Sequence, residues 1–151
     1  MSAQPAYTVR LADWEDDRAA LREVRNDVFI VEQRVPAELE WDDMDARSRH
    51  ALAEDARGYA IGCARLLPDG HIGRVAVRAS WRKRGVGAAL VTRLIELARE
   101  LEHPELILNA QTHALPFYAR FGFAVSGAPF EEAGIPHREM RLRLKPRPMP
   151  G

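Results

Sequence analysis

Apolar positions recur along the chain with two different periods, and the switches between them divide it into elements. Residues 7–11 (YTVRL) alternate and predict a first strand. Asp13 and Asp16 then supply a helix N-cap and an acidic first turn, and Leu21, Val24 and Val28 follow at helical spacing, so a helix should run to Phe29 or beyond and end before Pro36. Three short runs, 50–54, 58–67 and 71–77, separated by turns at 55–58 and 68–70, predict an antiparallel meander. The most regular stretch comes next. Val86, Leu90, Leu94, Leu97 and Leu101 form one apolar stripe, Arg93, Glu96, Arg99 and Glu100 point away from it, and His103 and Pro104 close the helix. Residues 105–110 (ELILNA) are a compact strand of the buried kind. Because a helix separates them from 71–77, the two strands should lie parallel with a right-handed crossover. A short helix near 115–121, with Pro116 in its first turn and Gly122 at its end, precedes two last strands, 125–126 and 139–144, around a loop at 127–137. The order is β-α-β-β-β-α-β-α-β-β.

Two stretches do not fit a plain framework. Between 32 and 49 (EQRVPAELEWDDMDARSR) periodicity lapses and acids accumulate, which reads as a long functional loop or a short helix with a loop. Trp41 and Met44 alternate there with Glu40, Asp42 and Asp45, a pattern expected to anchor one side and present carboxylates on the other. The second stretch is the turn between the strand at 71–77 and the long helix, Arg82-Lys83-Arg84-Gly85-Val86-Gly87. The first turn of a helix has backbone N–H groups without partners and carries the positive end of the dipole, so a phosphate can dock there. Glycines at 85 and 87 keep side chains away from those amides, and the three basic residues add charge at the rim. A Walker loop needs Gly-x-x-x-x-Gly-Lys-Ser/Thr and a dinucleotide fold needs Gly-x-Gly-x-x-Gly; neither spacing is present.

Composition adds exclusions. The chain has 151 residues, 46% apolar and 29% charged, which suits one globular domain, expected over 1–145 with a Pro-rich flexible tail at 146–151. Its formal net charge of zero argues against a nucleic-acid or membrane-surface partner. The single cysteine, Cys63, rules out an intrachain disulfide and a cysteine-based zinc site, and its apolar surroundings suggest a buried filler. The first ten residues lack the apolar core of a signal peptide and no run reaches membrane-spanning length, so a cytoplasmic protein is expected. Oligomeric state is not legible; a homodimer is left open.

The Arg82-x-x-Gly85-x-Gly87 loop between strand and helix resembles the acyl-CoA pyrophosphate loop of the GNAT superfamily of N-acyltransferases. Val28-Phe-Ile-Val-Glu-Gln33, Glu40-x-Asp42-x-x-Asp45, Ala110-Gln111, Phe117-Tyr118, Phe121-Gly122-Phe123 and Gly134-Ile-Pro-His137 extend the likeness over nearly the whole chain and look like its ElaA-like branch. That resemblance implies a single-domain α/β (α+β) fold, its mixed central sheet splayed between strands 4 and 5 and flanked by helices. It implies an N-acetyltransferase that moves an acetyl group from acetyl-CoA to a primary amine of a small molecule or peptide, by direct attack in a ternary complex. Part of the sequence, Arg25-x-x-x-Phe29, Glu40-x-Asp42-x-x-Asp45 and Arg65, also resembles acyl-homoserine lactone synthases, which generally have longer chains and lack the glycine loop. A non-catalytic CoA-binding module is the third reading.

The same resemblance distributes roles. The backbone of Val75, Ala76 and Val77 would take pantetheine like an added strand, with Val77 the oxyanion donor. Arg82, Lys83, Arg84, Gly85, Val86, Gly87 and Ala88 would hold the pyrophosphate, and Asn109 would contact pantetheine. Tyr118 would protonate the departing thiolate, a task within reach of a phenol. Phe117, Phe121 and Phe123 are assigned to the core, and Phe117 is also counted among the CoA contacts. Many relatives carry a glutamate base on the central strand; Arg74-Val75-Ala76-Val77 has none. Glu32, Glu40, Asp42, Asp45, His50, His71, His137 or an amine arriving partly deprotonated remain. Glu32, Glu40, Asp42, Asp45 and His137 are the candidate acceptor-binding residues, and the acids predict a cationic acceptor.

Overall fold

The computed structural model describes residues 6–145, so the tail expected at 146–151 lies outside the described residues. Strand β1 (Tyr7–Ala12) leads into helix α1 (Trp14–Arg25), where the Asp13 carboxylate accepts from the Glu15 amide at 2.9 Å. Asn26–Glu32 follows as a π-helical segment, with the Gln33 amide donating to Val28 O, so the predicted run past Phe29 is helical but changes its winding at Asn26. The acidic stretch holds a four-residue helix, α2 (Ala37–Glu40), and a 3-10 turn (Asp45–Arg47). Strands β2 (Arg49–Asp55), β3 (Ala60–Leu66) and β4 (His71–Val77) form the antiparallel meander. After α3 (Val86–Glu100) come β5 (Glu105–Gln111) and α4 (Leu115–Ala119), then β6 (Ala124–Val125), β7 (Phe130–Glu132) and β8 (Ile135–Arg143).

The segment read as a loop at 127–137 is therefore partly a hairpin, with Phe130 opposite His137 and Glu132 opposite Ile135. It turns on Ala133 (φ 53°) and Gly134 (φ 76°), two consecutive left-handed residues of the kind a tight hairpin needs. An alanine at the first of these positions hides the turn, since Asn, Asp or Gly usually supplies that conformation.

The strands make one sheet in the order β1-β2-β3-β4-β5-β8-β6, with β7 on the side of β8. Side chains alternate across it, so neighbouring residues of β2 serve opposite layers. Ala51 and Ala53 pack with Val86, Leu90 and Leu94 of α3, while Leu52 packs with Leu21 and Val24 of α1. Each fully buried leucine on these helices contributes about 1.5–3 kcal/mol relative to exposure. Gly62 of β3 lets α3 seat closely: a Cβ there would lie 3.0 Å from Leu90 Cδ1 and 3.1 Å from both Ala76 O and Val86 Cγ1.

The expected parallel pairing of β4 with β5 exists only at its base, His71 opposite Ile107 and Ile72 opposite Leu108. Beyond Ile72 the strands separate, while β5 stays paired with β8 from Glu105 to Gln111. The cause is local. Register between β3 and β4 slips between Cys63 and Arg65, and Arg74 adopts φ 51°, a left-handed conformation in the middle of a strand. Such a bulge bends its strand, at a backbone strain on the order of 1–3 kcal/mol for a non-glycine residue. Arg74 Nη2 helps to hold the bend by donating to Leu39 O at 3.3 Å and Glu40 O at 3.1 Å.

Candidate active site

The separation of β4 from β5 opens a cavity of about 640 Å³, walled by Gly73–Val75 on one side and 108–111 on the other, and covered by Phe29, Gln33 and Leu39. In an antiparallel pair, backbone groups point alternately toward and away from the partner strand. The Arg78 amide donates to Ile61 O at 2.9 Å and Ala76 lies opposite Cys63, so the peptide groups of Ala76 face β3 and those of Val75 and Val77 face the gap. The Val77 carbonyl already accepts from Arg82 Nε at 3.0 Å. The edge offered to an added strand is therefore that of Val75 and the amide of Val77, and Ala76 contributes none of it.

Helix α3 starts beside that edge. Its N-cap, Gly85, has φ 85° and no side-chain cap, and the first intrahelical amide to find a partner there is Ala89, which donates to Gly85 O at 3.0 Å. The amides of Val86, Gly87 and Ala88 are thus the free donors of the first turn. A Cβ on Gly87 would sit 3.4 Å from Phe117 Cζ and 3.6 Å from Val77 Cγ2, which puts the helix start, the end of β4 and α4 at one place. The basic rim is smaller than the sequence suggests, because Arg82 donates from both terminal nitrogens to the Glu32 carboxylate at 2.5 Å. Arg84 lies over the Trp81 ring at 4.0 Å, and Lys83 makes no ion pair among the described residues.

Tyr118 projects from α4 into the large cavity. Its ring is fixed edge-on by Phe117 at 4.9 Å and Phe123 at 6.2 Å, and its hydroxyl has no hydrogen-bond partner among the described residues. Burial pushes the phenol up to about 12. Asn109 is exposed on the facing strand and also lines the cavity.

The acids at 40, 42 and 45 do not form the presented face expected of them. Glu40 and Asp45 are 3% exposed. Arg25, itself 1% exposed, donates Nε to Glu40 and Nη1 to Asp45, each at 2.7 Å. Arg65 Nη1 reaches Asp42 at 2.8 Å and Asp45 at 2.9 Å, and Arg74 approaches Glu40 at 3.1 Å and Asp42 at 3.4 Å. Three carboxylates are thus matched by three guanidinium groups, and the cationic-acceptor argument loses its charge. Burial raises Glu40 despite its partners; for Asp42 burial pushes upward too, but the Arg65 hydrogen bonds and charge outweigh it and hold the carboxyl below its usual range. Trp41 anchors the cluster as expected, with the Arg22 and Arg25 guanidiniums 5.0 and 5.1 Å from its ring centre.

Of the candidate bases, the cavity gathers Glu40, His71 and His137. His137 is 7% exposed, with Nδ1 2.6 Å from Ile135 O and its ring stacked on Phe130. His50 is elsewhere, stacked on Trp14 with Nε2 2.8 Å from Asp45 O, and burial lowers its pKa. Glu32 lies in a neighbouring cavity of about 470 Å³ with Val77 and Arg82, where the Arg82 hydrogen bonds keep its carboxyl low. Gln33 and Gln111 line both cavities and join across them at 3.0 Å. Arg65 and Arg74 also line the large one, a placement unreadable from their strand-like sequence. Cys63 is buried and its thiol is raised to about 12, so it is expected to react with a disulfide reagent only after unfolding, as a thiol titration with and without denaturant would show.

The comparisons with known proteins agree with this geometry. YjcF of Bacillus subtilis, described as an N-acetyltransferase, is 40% identical over 121 residues, covering 78% of this chain and 86% of YjcF. Escherichia coli ElaA is 33% identical over 126 residues, and its crystal structure superposes with a TM-score of 0.80 over 89% of this chain and 98% of that one. A Pseudomonas aeruginosa acyl-CoA N-acyltransferase, 30% identical, gives the same TM-score of 0.80, again covering 89% of this chain and 98% of its own. The acetyltransferase (GNAT) domain family matches residues 15–144, and with relatives this close the chain belongs to the GNAT acetyltransferase family.

Proposed function

We propose that the protein transfers an acetyl group from acetyl-CoA to a primary amine of a small molecule or peptide, by direct attack while both substrates are bound. The observation that carries this reading is the gap between β4 and β5, which pairs at only two positions and opens next to the uncapped start of α3. A thioester supplies the activated acyl group; the chain's own groups position and polarise it. The Val75 and Val77 edge takes pantetheine as an added strand. The Val77 amide donates to the carbonyl oxygen as negative charge gathers there, and the low-dielectric cavity strengthens that bond. Val86, Gly87 and Ala88 receive the pyrophosphate at the helix start, with Lys83 and Arg84 beside it. Tyr118 gives a proton to the leaving sulfur, and Asn109 contacts pantetheine from β5. Of the candidate bases, His71, His137 and Glu40 line the cavity, and in this reading one of them would take the amine's proton directly or through water.

Release of free thiol from acetyl-CoA in the presence of a panel of amines tests the reaction, and binding of CoA without any turnover would reduce the protein to a CoA-binding module. Gly87→Val is expected to abolish CoA binding in a calorimetric titration while leaving the thermal midpoint nearly unchanged, because the added side chain meets only ordinary contacts at its first carbon. Undiminished CoA affinity would move the pyrophosphate away from this helix. Gly85 is the poorer probe, since its φ of 85° makes any side chain there strained irrespective of ligand.

A further inference from the structure

Three of the candidate bases line the large cavity, and their positions separate them. His71 sits at its closed end, opposite Ile107 where β4 and β5 still pair, with Nδ1 2.9 Å from Asp69 Oδ1. Glu40 is bound by Arg25 at 2.7 Å and approached by Arg74 at 3.1 Å, so its charge is spent within the protein. His137 stands at the open end. Its partner in the sheet is Gln111, three residues past Leu108 on β5, and Val75 is likewise three residues past Ile72, the last residue of β4 that pairs with β5. His137 is therefore level with the free backbone edge of Val75, one strand beyond the gap. Its sheet partner Gln111 and its hydrogen-bond partner Ile135 line both cavities, so the ring stands at the boundary with the smaller cavity, which Val77 lines.

Hydrogen bonding fixes which nitrogen of His137 is available. The residue is 7% exposed, and its Nδ1 lies 2.6 Å from Ile135 O. A carbonyl oxygen only accepts, so Nδ1 carries the proton and, in the neutral ring, Nε2 carries the lone pair. Nε2 has no hydrogen bond among the described residues and is not closed off from the cavity. Glu132 Oε2 is 3.6 Å from it, on a side chain 57% exposed, and Phe130 stacks on the ring with the centroids 5.9 Å apart. Of the other charged groups on the cavity wall, Arg65 and Arg74 are paired with Asp42 and Glu40, and Asp69 lies beside His71. We propose that His137 is the general base, taking the amine's proton at Nε2, and that Glu132 is a positioning residue that stabilises the imidazolium so formed. This rests on the N-acyltransferase reading and deepens it by assigning the base that β4 lacks. The balance closes within the cavity that His137 and Tyr118 share. The amine nitrogen bonds to the thioester carbon, its N–H bond breaks toward Nε2, and the C–S bond breaks as the sulfur takes the Tyr118 proton. The imidazolium then returns its proton to the Tyr118 phenolate through water, so the amine's proton ends on the thiol.

The test uses His137→Asn, which keeps an amide donor near the place of Nδ1 and removes Nε2. Thiol release from acetyl-CoA is followed with benzylamine, spermidine and L-phenylalaninamide. The variant is expected to bind CoA as the wild type does in calorimetry, to lose roughly 10²–10⁴-fold in kcat, and to recover part of that loss when imidazole is added. Glu132→Gln is expected to lower kcat by about two- to fivefold, the range of a solvent-screened ion pair, with KM for acetyl-CoA unchanged, and Glu132→Asp to retain part of the effect. An unchanged kcat in a His137→Asn protein that still binds CoA would overturn the base and leave the N-acyltransferase standing. An unchanged kcat in Glu132→Gln would strike Glu132 from the proposal. No thiol release from the wild type with any of these amines would overturn the base together with the acyl-transfer reading. A measurement that needs neither turnover nor a folded variant is the long-range proton–nitrogen NMR spectrum of the wild-type imidazoles, in which the neutral His137 ring is expected to carry its proton on Nδ1. A ring protonated on Nε2 instead would refute the base whatever the rates show.

Discussion

Replacing Tyr118 with phenylalanine is expected to lower kcat by roughly 10²–10⁴-fold with little change in KM for acetyl-CoA, the pattern of an interaction made only in the transition state. The substitution removes one oxygen and keeps the ring that Phe117 and Phe123 hold in place, so the fold has no reason to respond. Among the described residues the hydroxyl has no hydrogen-bond partner to lose, which separates this tyrosine from a core residue whose phenol is satisfied within the sheet. At about 12, the phenol is a weaker acid than the ordinary reference for its type, near 10. That gap does not disqualify it, because the same burial makes a departing thiolate more avid for a proton, and the two shift together. A second consequence concerns pH. A group titrating near 12 stays protonated across the working range, so deprotonation of Tyr118 is expected to cause no fall in kcat up to about pH 10, and any basic limb seen below that belongs to another group. Steady-state rates of the two enzymes, with chemistry established as rate-limiting, decide the matter: an unchanged kcat in the phenylalanine variant makes Tyr118 a packing residue.

Elements whose signal is local were legible from the residues. The run 71–77 and the stripe from Val86 to Leu97 fall where their periods put them, because β4 and α3 each bury one face against a partner that the alternation itself describes; Leu101, the last residue of the expected stripe, caps the helix and is exposed. The free amides at the start of α3 were legible for the same reason, since two glycines and a helix period suffice to expect them. What the sequence did not carry are features that arise from pairing at a distance. Arg74 reads as one more residue in a strand, yet its left-handed backbone is the bend that separates β4 from β5 and so creates the cavity. The hairpin at Ala133 and Gly134 went unread because alanine seldom supplies the conformation it has there. Arg82 looked like a phosphate ligand until Glu32, fifty residues earlier in the chain, was found bound to it.

The acidic stretch shows the same limit most sharply, and it yields the largest stability prediction. A run of carboxylates with no periodicity has the composition of a solvated loop, and only the fold reveals that Arg25, Arg65 and Arg74, each from a different element, converge on it. Arg25→Leu is expected to destabilise the protein by about 3–5 kcal/mol, because it leaves Glu40 and Asp45 buried without the cation that each contacts at 2.7 Å. In a chain of this size that corresponds to a drop in Tm of roughly 6–20 °C. The comparison to make is with Arg10→Leu, which removes an equally close pair of contacts, to Asp17 and Glu54, at a side chain 45% exposed. Solvent screening should limit the loss there to about 1 kcal/mol. The cost in Arg25→Leu comes from stranded charge rather than from absent attraction, so adding Glu40→Leu to it should restore part of the lost stability instead of adding to the damage. A double variant less stable than Arg25→Leu alone, or a single variant no worse than Arg10→Leu, would mean that the cluster is hydrated and that α1, α2, β3 and β4 are held together over the cavity by apolar packing alone.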